Sequence, residues 1–241
     1  MTVANYPLPT ASSPRLRNRL LAGLTPEDLA QLIEHLEPVD LLKKQVLYEV
    51  GAPLEHIYFI EEGLASVLTT MEDGATSEVG MVGPEGLVGV SALLGGLRSA
   101  QHIVMQLPGR GHHIPAARCK SVFDESPRVR AVLLRFIEDL LNLSSQTAGC
   151  NRLHSVEQRS ARWLLMASDR IASNMLPLTQ EFLAAMLGVR RSGVSEAAAE
   201  LQRSGLIRYR RGQIVIIDRA GLEKTACECY ALDKQRVERL L

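Results

Sequence analysis

The 241-residue sequence has no excess of charge of either sign, because 27 Lys and Arg residues balance 27 Asp and Glu residues. Nucleic-acid binding through the overall charge of the molecule is therefore excluded, and any such binding requires a local basic surface. The sequence also has no apolar run of about 18 residues, the length that a membrane-spanning helix needs. Hydrophobic residues make up 46% of the chain, which is enough for a packed core.

Targeting signals and the common enzyme motifs are missing as well. The first 20 residues have no charged start followed by an apolar core, so we expect no secretory signal, no membrane partner and a cytoplasmic location. No nucleophile elbow, P-loop or dinucleotide-binding fingerprint is present. The glycine-containing segment GLVGVSALLGG lacks the Lys-Ser/Thr ending of a phosphate-binding loop. The sequence therefore does not predict an enzyme.

Cysteine is scarce, with four residues at Cys119, Cys150, Cys227 and Cys229. We interpret them as reduced thiols, because nothing marks the chain as secreted. Cys227 and Cys229 form a CxC pair, but a zinc site takes about four ligands and no second pair is present at a matched spacing. Adjacent residues on a strand point to opposite faces, so His112-His113 is a poor chelate. The sequence therefore predicts no metal site.

The pattern of the first half predicts a flexible tail followed by a β-rich domain. Residues 1–24 contain a Pro- and Ser-rich segment, and a short helix is expected over residues 26–37 with Thr25 as its cap. Short apolar runs then alternate with turn signals; residues 58–60 and 65–70 are typical of strands and Gly63 of a turn. Such spacing favours a small antiparallel barrel or sandwich, here over residues 25–126.

A long helix is predicted over residues 127–155, with Ser126 as its cap and Pro127 in its first turn. Apolar residues follow at alternating spacings of four and three, which is the pattern of a coiled-coil seam. Such a helix would pack on its own domain and on a second copy of the chain. The alternative is one long core helix in a monomer. The predicted seam consists of Val129, Leu133, Phe136, Leu140, Leu143 and Thr147, and continues through Cys150 and His154.

Two short helices joined by a tight turn are predicted in the last part of the chain, residues 156–241. Thr179 can cap the first helix and Gly188 can end it. The second helix begins at residues 190–192 and ends at Gly205. This arrangement is a helix-turn-helix.

The exposed side of the second helix combines arginine with small residues, which suits entry into the major groove of DNA. Residues 207–210 and 213–217 can pair as a basic hairpin, or wing, behind it. Six arginines and two glutamates lie between Arg190 and Arg211, so this region is locally positive. The alternative is a helical subdomain with solvated arginines. The predicted DNA contacts are Thr179, Gln180, Arg190, Arg191, Ser192, Ser195, Glu196, Arg203, Arg208, Arg210 and Arg211.

The order of a β-rich domain, a long helix and a winged helix-turn-helix resembles the Crp/Fnr superfamily of transcription regulators. The segments LTQEFLAAMLGVRRSGVSEAAAELQRSGLI and GAPLEHIYFIEEGLASVLTTMEDGATSEVGMVGPEG carry the resemblance. It implies an α+β fold with a cyclic-nucleotide-binding jelly roll, a dimerisation helix and a winged helix-turn-helix. It also implies a homodimer whose reading helices enter successive major grooves of an inverted repeat about 34 Å apart. RNA polymerase would be a further partner of an activator.

The resemblance also supplies candidates for effector binding. Arg98 and Ser99 match the family's Arg-Ser pair, which would hold a cyclic phosphate. Val88 stands where the family's ribose-binding glutamate would fall, with Glu85 nearby but out of register. Ser144 and Ser145 match hydroxyls that face the base in cyclic-AMP sensors. Cyclic AMP or another cyclic nucleotide is therefore a candidate effector, although one expected contact is missing.

Other kinds of sensing are less well supported by the residues present. Oxygen sensors of the family bind an iron–sulfur cluster through N-terminal cysteines, and the first hundred residues contain none, so we expect no such cluster. His102, His112 and His113 are candidate haem ligands by residue type alone. The competing function is a cyclic-nucleotide-binding regulatory subunit that acts on a protein partner without binding DNA.

Overall fold

The computed structural model describes residues 16–240; the part of the predicted tail before Leu16 lies outside the described residues. The N-terminal half contains four short helices and a β-sheet. Its elements are α1 (Arg19–Ala22), α2 (Pro26–Ile33), β1 (Glu37–Leu41), β2 (Val46–Tyr48), β3 (His56–Thr70), β4 (Thr76–Val82), β5 (Leu87–Val88), α3 (Val90–Leu93), β6 (His102–Pro115) and α4 (Ala116–Glu125).

The sensor sheet is antiparallel throughout and is built on its two longest strands. Strand β6 pairs with β1 and β2 as well as with β3, and β3 pairs with β4 and β5. Alternate side chains of these strands point inward, and Ile57, Phe59 and Ile114 are fully buried. The predicted β-rich sensor domain is confirmed, and it is closed at one side by α4 and the long helix that follows.

The turn predicted at Gly63 is wrong, because residues 58–60 and 65–70 belong to the single strand β3. The pairing of β3 with β6 shifts register on both sides of Gly63, which marks a β-bulge. Gly63 has a φ of 95°, and a Cβ there would lie 2.7 Å from the carbonyl oxygen of Leu107. Glycine is therefore needed where the backbone of β3 approaches that of β6 closely. In the sequence, a glycine required for this reason looks the same as a glycine in a turn.

The predicted flexible tail extends too far, because residues 16–24 pack against the sensor sheet. Leu20 and Leu21 of α1 are buried. The side-chain amide of Asn18 is buried and donates to the carbonyl oxygens of Ile60 (2.8 Å) and Gly86 (2.7 Å). These two carbonyls lie far from Asn18 in the sequence, so no local pattern could indicate the contact.

The long helix α5 runs from Pro127 to Leu153, over about 40 Å. Ser126 Oγ accepts a hydrogen bond from the Val129 backbone N–H, as expected of its cap. The predicted seam needs correction, because its residues face the core of their own chain. Leu140 is half-buried, and Thr147 accepts a hydrogen bond from Arg162 on the following helix. The remaining four seam residues, Val129, Leu133, Phe136 and Leu143, are buried in the same chain. A surface already buried in one protomer cannot also form a seam with a partner.

The C-terminal half combines helices with a small three-stranded sheet, whose order is β7-β9-β8. The first strand was not predicted from the sequence, since it has only two residues and precedes Pro177. The elements are α6 (Val156–Ile171), β7 (Met175–Leu176), α7 (Gln180–Leu187), α8 (Arg191–Arg203), β8 (Ile207–Arg210), β9 (Gln213–Ile216), α9 (Arg219–Thr225) and α10 (Cys229–Arg239).

Helix α6 carries a buried charge that joins three parts of the chain. Arg170 Nε donates to Glu85 Oε1 (2.7 Å), which precedes β5, and Arg170 Nη1 donates to Asp233 Oδ2 (3.1 Å) on α10. All three side chains are buried. Burial by itself would lower the pKa of Arg170, but the charges of Asp233 and Glu85 raise it above its ordinary value. We call this group the Arg170 triad.

We predict that Arg170→Met destabilises the protein by about 3–5 kcal/mol, because it leaves the buried Glu85 without its cation and Asp233 with only the more distant Arg236, at 3.5 Å. Urea unfolding at neutral pH measures the change. Arg203→Met is the matched control, since Arg203 pairs with Glu200 on an exposed helix surface and should cost less than about 1 kcal/mol. Equal effects of the two substitutions would contradict the role assigned to the triad.

Candidate nucleic-acid interface and sensor cavity

Helices α7 and α8 are positioned by caps that the sequence encodes locally. Thr179 Oγ1 accepts a hydrogen bond from the Phe182 backbone N–H (3.2 Å). Gly188 ends α7 in the left-handed conformation, with a φ of 61°. The buried side of α8 consists of Val194, Ala197, Ala198 and Leu201. The opposite side of α8 therefore faces outward.

The outward side of α8 carries the predicted base-reading residues. Arg191, Ser192 and Glu196 are exposed, as is Arg190 at the N-cap position. Ser195 Oγ donates to Gln180 Oε1 (2.8 Å), which ties the first turn of α7 to α8. Arg203 lies at the far end of α8, where it pairs with Glu200. The start of α8 thus presents two arginines beside small side chains and an oriented Gln180.

The hairpin of β8 and β9 lies against both helices. Arg211 and Gly212 form its two-residue turn, with φ values of 48° and 75°, as in the turns that suit tight hairpins. The Tyr209 backbone N–H donates to Gln202 Oε1 on α8 (2.8 Å). A Cβ on Gly212 would lie 3.7 Å from Thr179 Cγ2. The tip of the wing is therefore beside the start of α7.

The wing arginines Arg208, Arg210 and Arg211 are all exposed. The N-terminus of a helix adds positive potential of its own, which attracts phosphate. The start of α7, the start of α8 and the tip of the hairpin thus lie beside one another, and we call the predicted DNA-contact residues together the reading surface. Its residues come from separate segments of the chain, and the local hydrogen bonds above hold them together.

The sensor domain contains a small cavity at the position expected for an effector. Its volume is about 10 Å³, which is about the room that one water molecule needs. Val88, Ser99 and Leu140 are among the residues that line it. The Ser99 hydroxyl donates to the carbonyl oxygen of Gln101 (2.7 Å). The cavity is therefore small, and most of the residues that line it are apolar.

The predicted effector residues are not assembled around this cavity in the part of the chain that the structure describes. Arg98 is exposed, and its Nη1 donates to the carbonyl oxygen of Gly51 (2.6 Å). Ser145 is exposed on α5 and Ser144 is half-buried near Gly80. Only Ser99 of the four lines the cavity. The nearby Glu85 belongs to the Arg170 triad instead.

One group of side chains that could bind a metal ion was not predicted from the sequence. Cys150, His154, Cys227 and Cys229 lie together, with one ligand atom from each within 4.8 Å of all the others. The prediction of no metal site rested on the missing second cysteine pair, and that reason fails because α5 supplies Cys150 and His154. The spacing of four residues between Cys150 and His154 places both on one side of a helix, and it is the signal in the sequence that could indicate a shared ligand. The same two residues also continue the predicted seam.

The helix-turn-helix rests on the strands of the sensor sheet. Met186 Sδ on α7 accepts a hydrogen bond from Gln106 Nε2 on β6 (3.4 Å). A Cβ on Gly188 would lie 2.8 Å from Ser77 Oγ on β4. Lys43 Nζ, between β1 and β2, donates to the carbonyl oxygen of Pro177 (2.9 Å). The helix-turn-helix and the sensor sheet are therefore in direct contact.

A buried carboxyl group lies at this contact. Glu78 on β4 accepts hydrogen bonds from Trp163 Nε1 on α6 (2.8 Å) and from the Ser66 hydroxyl on β3. Its burial raises its pKa to about 7, although both hydrogen bonds act in the opposite direction.

Comparison with known proteins agrees with both halves of the molecule. Residues 38–126 match the cyclic nucleotide-binding domain, and residues 158–225 match the Crp-like helix-turn-helix domain. The CRP-like cAMP-activated global transcriptional regulator of Mycobacterium tuberculosis is 23% identical over 87% of this chain and 97% of its own length.

Solved structures show the same fold. A Crp/Fnr-family regulator from Eubacterium rectale superposes with a TM-score of 0.69 at 18% identity, over 87% of this chain and 98% of the other. A CRP/FNR-family regulator from Thermus thermophilus gives a TM-score of 0.67 at 25% identity, over 79% of this chain and 98% of the other.

A cyclic-nucleotide-binding-type sensor joined to a helix-turn-helix defines a transcription regulator. The chain belongs to the Crp/Fnr family. Among residues 16–240, no helix has both the length and the apolar character to cross a membrane.

We predict that Glu78→Gln removes a pH-dependent contribution to stability. The folded-state pKa of Glu78 is raised, so its favourable contribution is complete below the unfolded-state pKa and is lost as the pH rises through about 7. Relative to wild type, the variant should gain about 3 kcal/mol in unfolding free energy across this window. Urea unfolding between pH 5 and 8 measures most of this gain. The exposed Glu72→Gln is the control, and a constant difference between wild type and Glu78→Gln would show that the carboxyl does not titrate as described.

Proposed function

We propose that the protein is a homodimeric transcription regulator that binds an inverted-repeat operator, under the control of a small effector bound by the sensor domain. The observation that supports this most is the reading surface, in which Arg191, Gln180 and Arg211 come from three segments held together by hydrogen bonds and close packing. The protein would act in the cytoplasm on double-stranded DNA, and RNA polymerase would be its partner at promoters that it activates.

The side chains of α8 suggest how bases are read. Arg191 can donate two hydrogen bonds to a guanine edge, and Glu196 can accept one from a cytosine amino group. Ser192 is small enough to allow the helix to approach the groove closely. Arg208 and Arg210 on the wing would contact phosphates, which gives affinity without sequence preference. This division predicts different consequences for substitutions in α8 and in the wing.

The exposed side of α5 offers a surface for a second copy of the chain. Leu134 and Leu141 are 42% and 64% exposed and lie seven residues apart, with Ala148 a further seven residues along. Residues at this spacing form one stripe along a helix. The surface expected to bind a twin is therefore this stripe, in place of the buried seam predicted from the sequence. A two-fold dimer would set the two reading helices about 34 Å apart.

Control by an effector would work through the contact between sensor and reading surface. A ligand that binds one arrangement of β4 and α5 more tightly than another shifts the population of reading-surface positions. A cyclic nucleotide is the first candidate, because of the matched domain and because the Mycobacterium tuberculosis relative is named as cAMP-activated. The cavity beside Ser99 would have to open to admit it, and Arg98 would have to leave Gly51.

The experiment that tests the proposal is selection of duplexes from a random DNA pool by the purified full chain, with and without cyclic AMP. Enrichment of an inverted repeat supports the dimeric regulator. Enrichment in the presence of the nucleotide alone supports cyclic AMP as the effector, and equal enrichment in both conditions excludes that role. Failure to enrich any sequence, together with nucleotide binding, would favour a regulatory subunit that acts on a protein partner.

We expect Arg191→Ala to weaken binding to the selected operator by about 1–3 kcal/mol and to relax the preference at one base pair of each half-site. Binding isotherms on the operator and on single-base variants measure both effects. Arg118→Ala is the control, because Arg118 is an equally exposed arginine on α4 of the sensor domain. A uniform loss across all sequences would instead assign Arg191 to phosphate contact.

We expect Leu141→Asp to convert the dimer to a monomer, since it places a charge in the centre of the exposed leucine stripe. Light scattering measures the mass, and binding should then show single half-sites without cooperativity. Leu97→Asp is the control, as Leu97 is an exposed leucine of the sensor domain outside α5. A dimer mass that survives Leu141→Asp would show that the protomers meet elsewhere.

A further inference from the structure

Three of the four cysteines meet a histidine where the long helix ends. Cys150 and His154 are four residues apart on α5, so they lie on the same side of that helix. Cys227 lies between α9 and α10, and Cys229 is the first residue of α10. The CxC segment is therefore held against the end of α5, at the point where the chain enters the DNA-binding half.

Two of the distances between ligand atoms match those around one tetrahedral ion, and all four ligand atoms lie within 4.8 Å of one another. The Sγ atoms of Cys150 and Cys227 are 3.6 Å apart, and Cys229 Sγ is 3.7 Å from His154 Nδ1. Zinc binds sulfur at about 2.3 Å and nitrogen at about 2.0–2.1 Å, so tetrahedral ligands lie about 3.6–3.8 Å from one another. A disulfide would require a sulfur–sulfur distance of about 2.05 Å. The observed separation is that of two ligands around a shared ion.

The surroundings do not resemble those of cysteines that fill a hydrophobic core. Cys150, Cys227 and Cys229 are each at most 3% exposed and form a cluster of their own, separate from the two large apolar cores. The three thiols thus contact one another, whereas cysteines that act as small apolar side chains pack among aliphatic residues. Cys119 shows that behaviour within the sensor core.

The outer contacts orient the ligands. His154 turns Nδ1 toward the thiols, and its Nε2 lies 3.2 Å from Glu228 Oε2. Metal-binding histidines commonly have such a carboxylate on the second ring nitrogen, which fixes the ring and makes it a stronger ligand. Gln146 Nε2 donates to Cys229 Sγ at 3.0 Å. A hydrogen bond of this kind favours the thiolate that a metal requires.

The charge of such a site would also be balanced. Three thiolates and a neutral imidazole around a divalent cation carry one net negative charge. Arg162, which donates to Thr147 one turn before Cys150, and Arg159 are both buried on α6 beside the cluster.

We propose that Cys150, His154, Cys227 and Cys229 form a binding site for one divalent, thiolate-preferring metal ion, with Zn²⁺ as the expected occupant. Binding would form three metal–sulfur bonds and one metal–nitrogen bond and would release the thiol protons to solvent. All four positions are filled by protein, so the ion would be structural and not catalytic. It would tie α10, which carries Asp233 of the Arg170 triad, to the end of α5.

The test uses the full chain purified without a histidine tag, stripped with a chelator under reducing conditions and titrated with Co²⁺. We expect one equivalent per chain, with the intense visible bands of tetrahedral cobalt and a near-ultraviolet sulfur-to-cobalt charge-transfer band. Zn²⁺ should displace Co²⁺ and protect three thiols from modification. Cys229→Ser should lose the high-affinity site, whereas the control Cys119→Ala should keep it.

A substitution outside the ligand set separates metal binding from a failure to fold. Glu228→Gln changes an exposed side chain beside His154 and should weaken Co²⁺ binding by about 10–100-fold without loss of helical circular dichroism. Weak octahedral cobalt spectra, or full-affinity binding by Cys229→Ser, would overturn the proposal. Purification with several irons and acid-labile sulfide per chain, or with a Cys150–Cys227 disulfide under reducing conditions, would overturn it as well.

Discussion

The structure depends above all on the buried charge of Arg170. A guanidinium in the interior is tolerated only when its charge and its N–H groups are matched, and here Glu85 and Asp233 do so from opposite sides. One partner belongs to the sensor and the other to the C-terminal helix, so the triad requires three distant segments to meet at α6. The triad therefore links α6 to both the sensor domain and α10.

The contact between the sensor domain and the helix-turn-helix joins the two halves of the molecule through specific side chains. The packing involves polar as well as apolar groups, including the Glu78–Trp163 hydrogen bond and the contact of Ser77 with Gly188. Polar groups buried at such a contact are costly if their partners move apart. A movement of β4 relative to α6 and α7 would therefore have to break or replace these contacts.

The small sensor cavity and the cluster of thiols lead to opposite conclusions about ligands. The motif around Arg98 and Ser99 resembles a nucleotide clamp, yet the fold turns Arg98 outward and leaves room for about one water. The cysteines form no complete metal-binding motif in the sequence, yet the fold brings three of them and His154 together, with one ligand atom from each within 4.8 Å of the others. Sequence motifs report which side chains are available, whereas a binding site depends on where the backbone directs them.

The sequence by itself determined the elements whose signals are local: the cap at Thr179, the left-handed Gly188, the buried side of α8 and the positive hairpin. Each of these depends on hydrogen bonds or side-chain spacing within a few residues, so it could be predicted without knowledge of the fold. Only the tertiary structure decided that Gly63 is a bulge, that Val129 and Leu133 face inward, that Asn18 anchors the N-terminal segment and that Cys150 meets Cys227. The physical reason is that these contacts depend on how separate segments pack together. Periodicity identifies an apolar face but not the surface that will cover it.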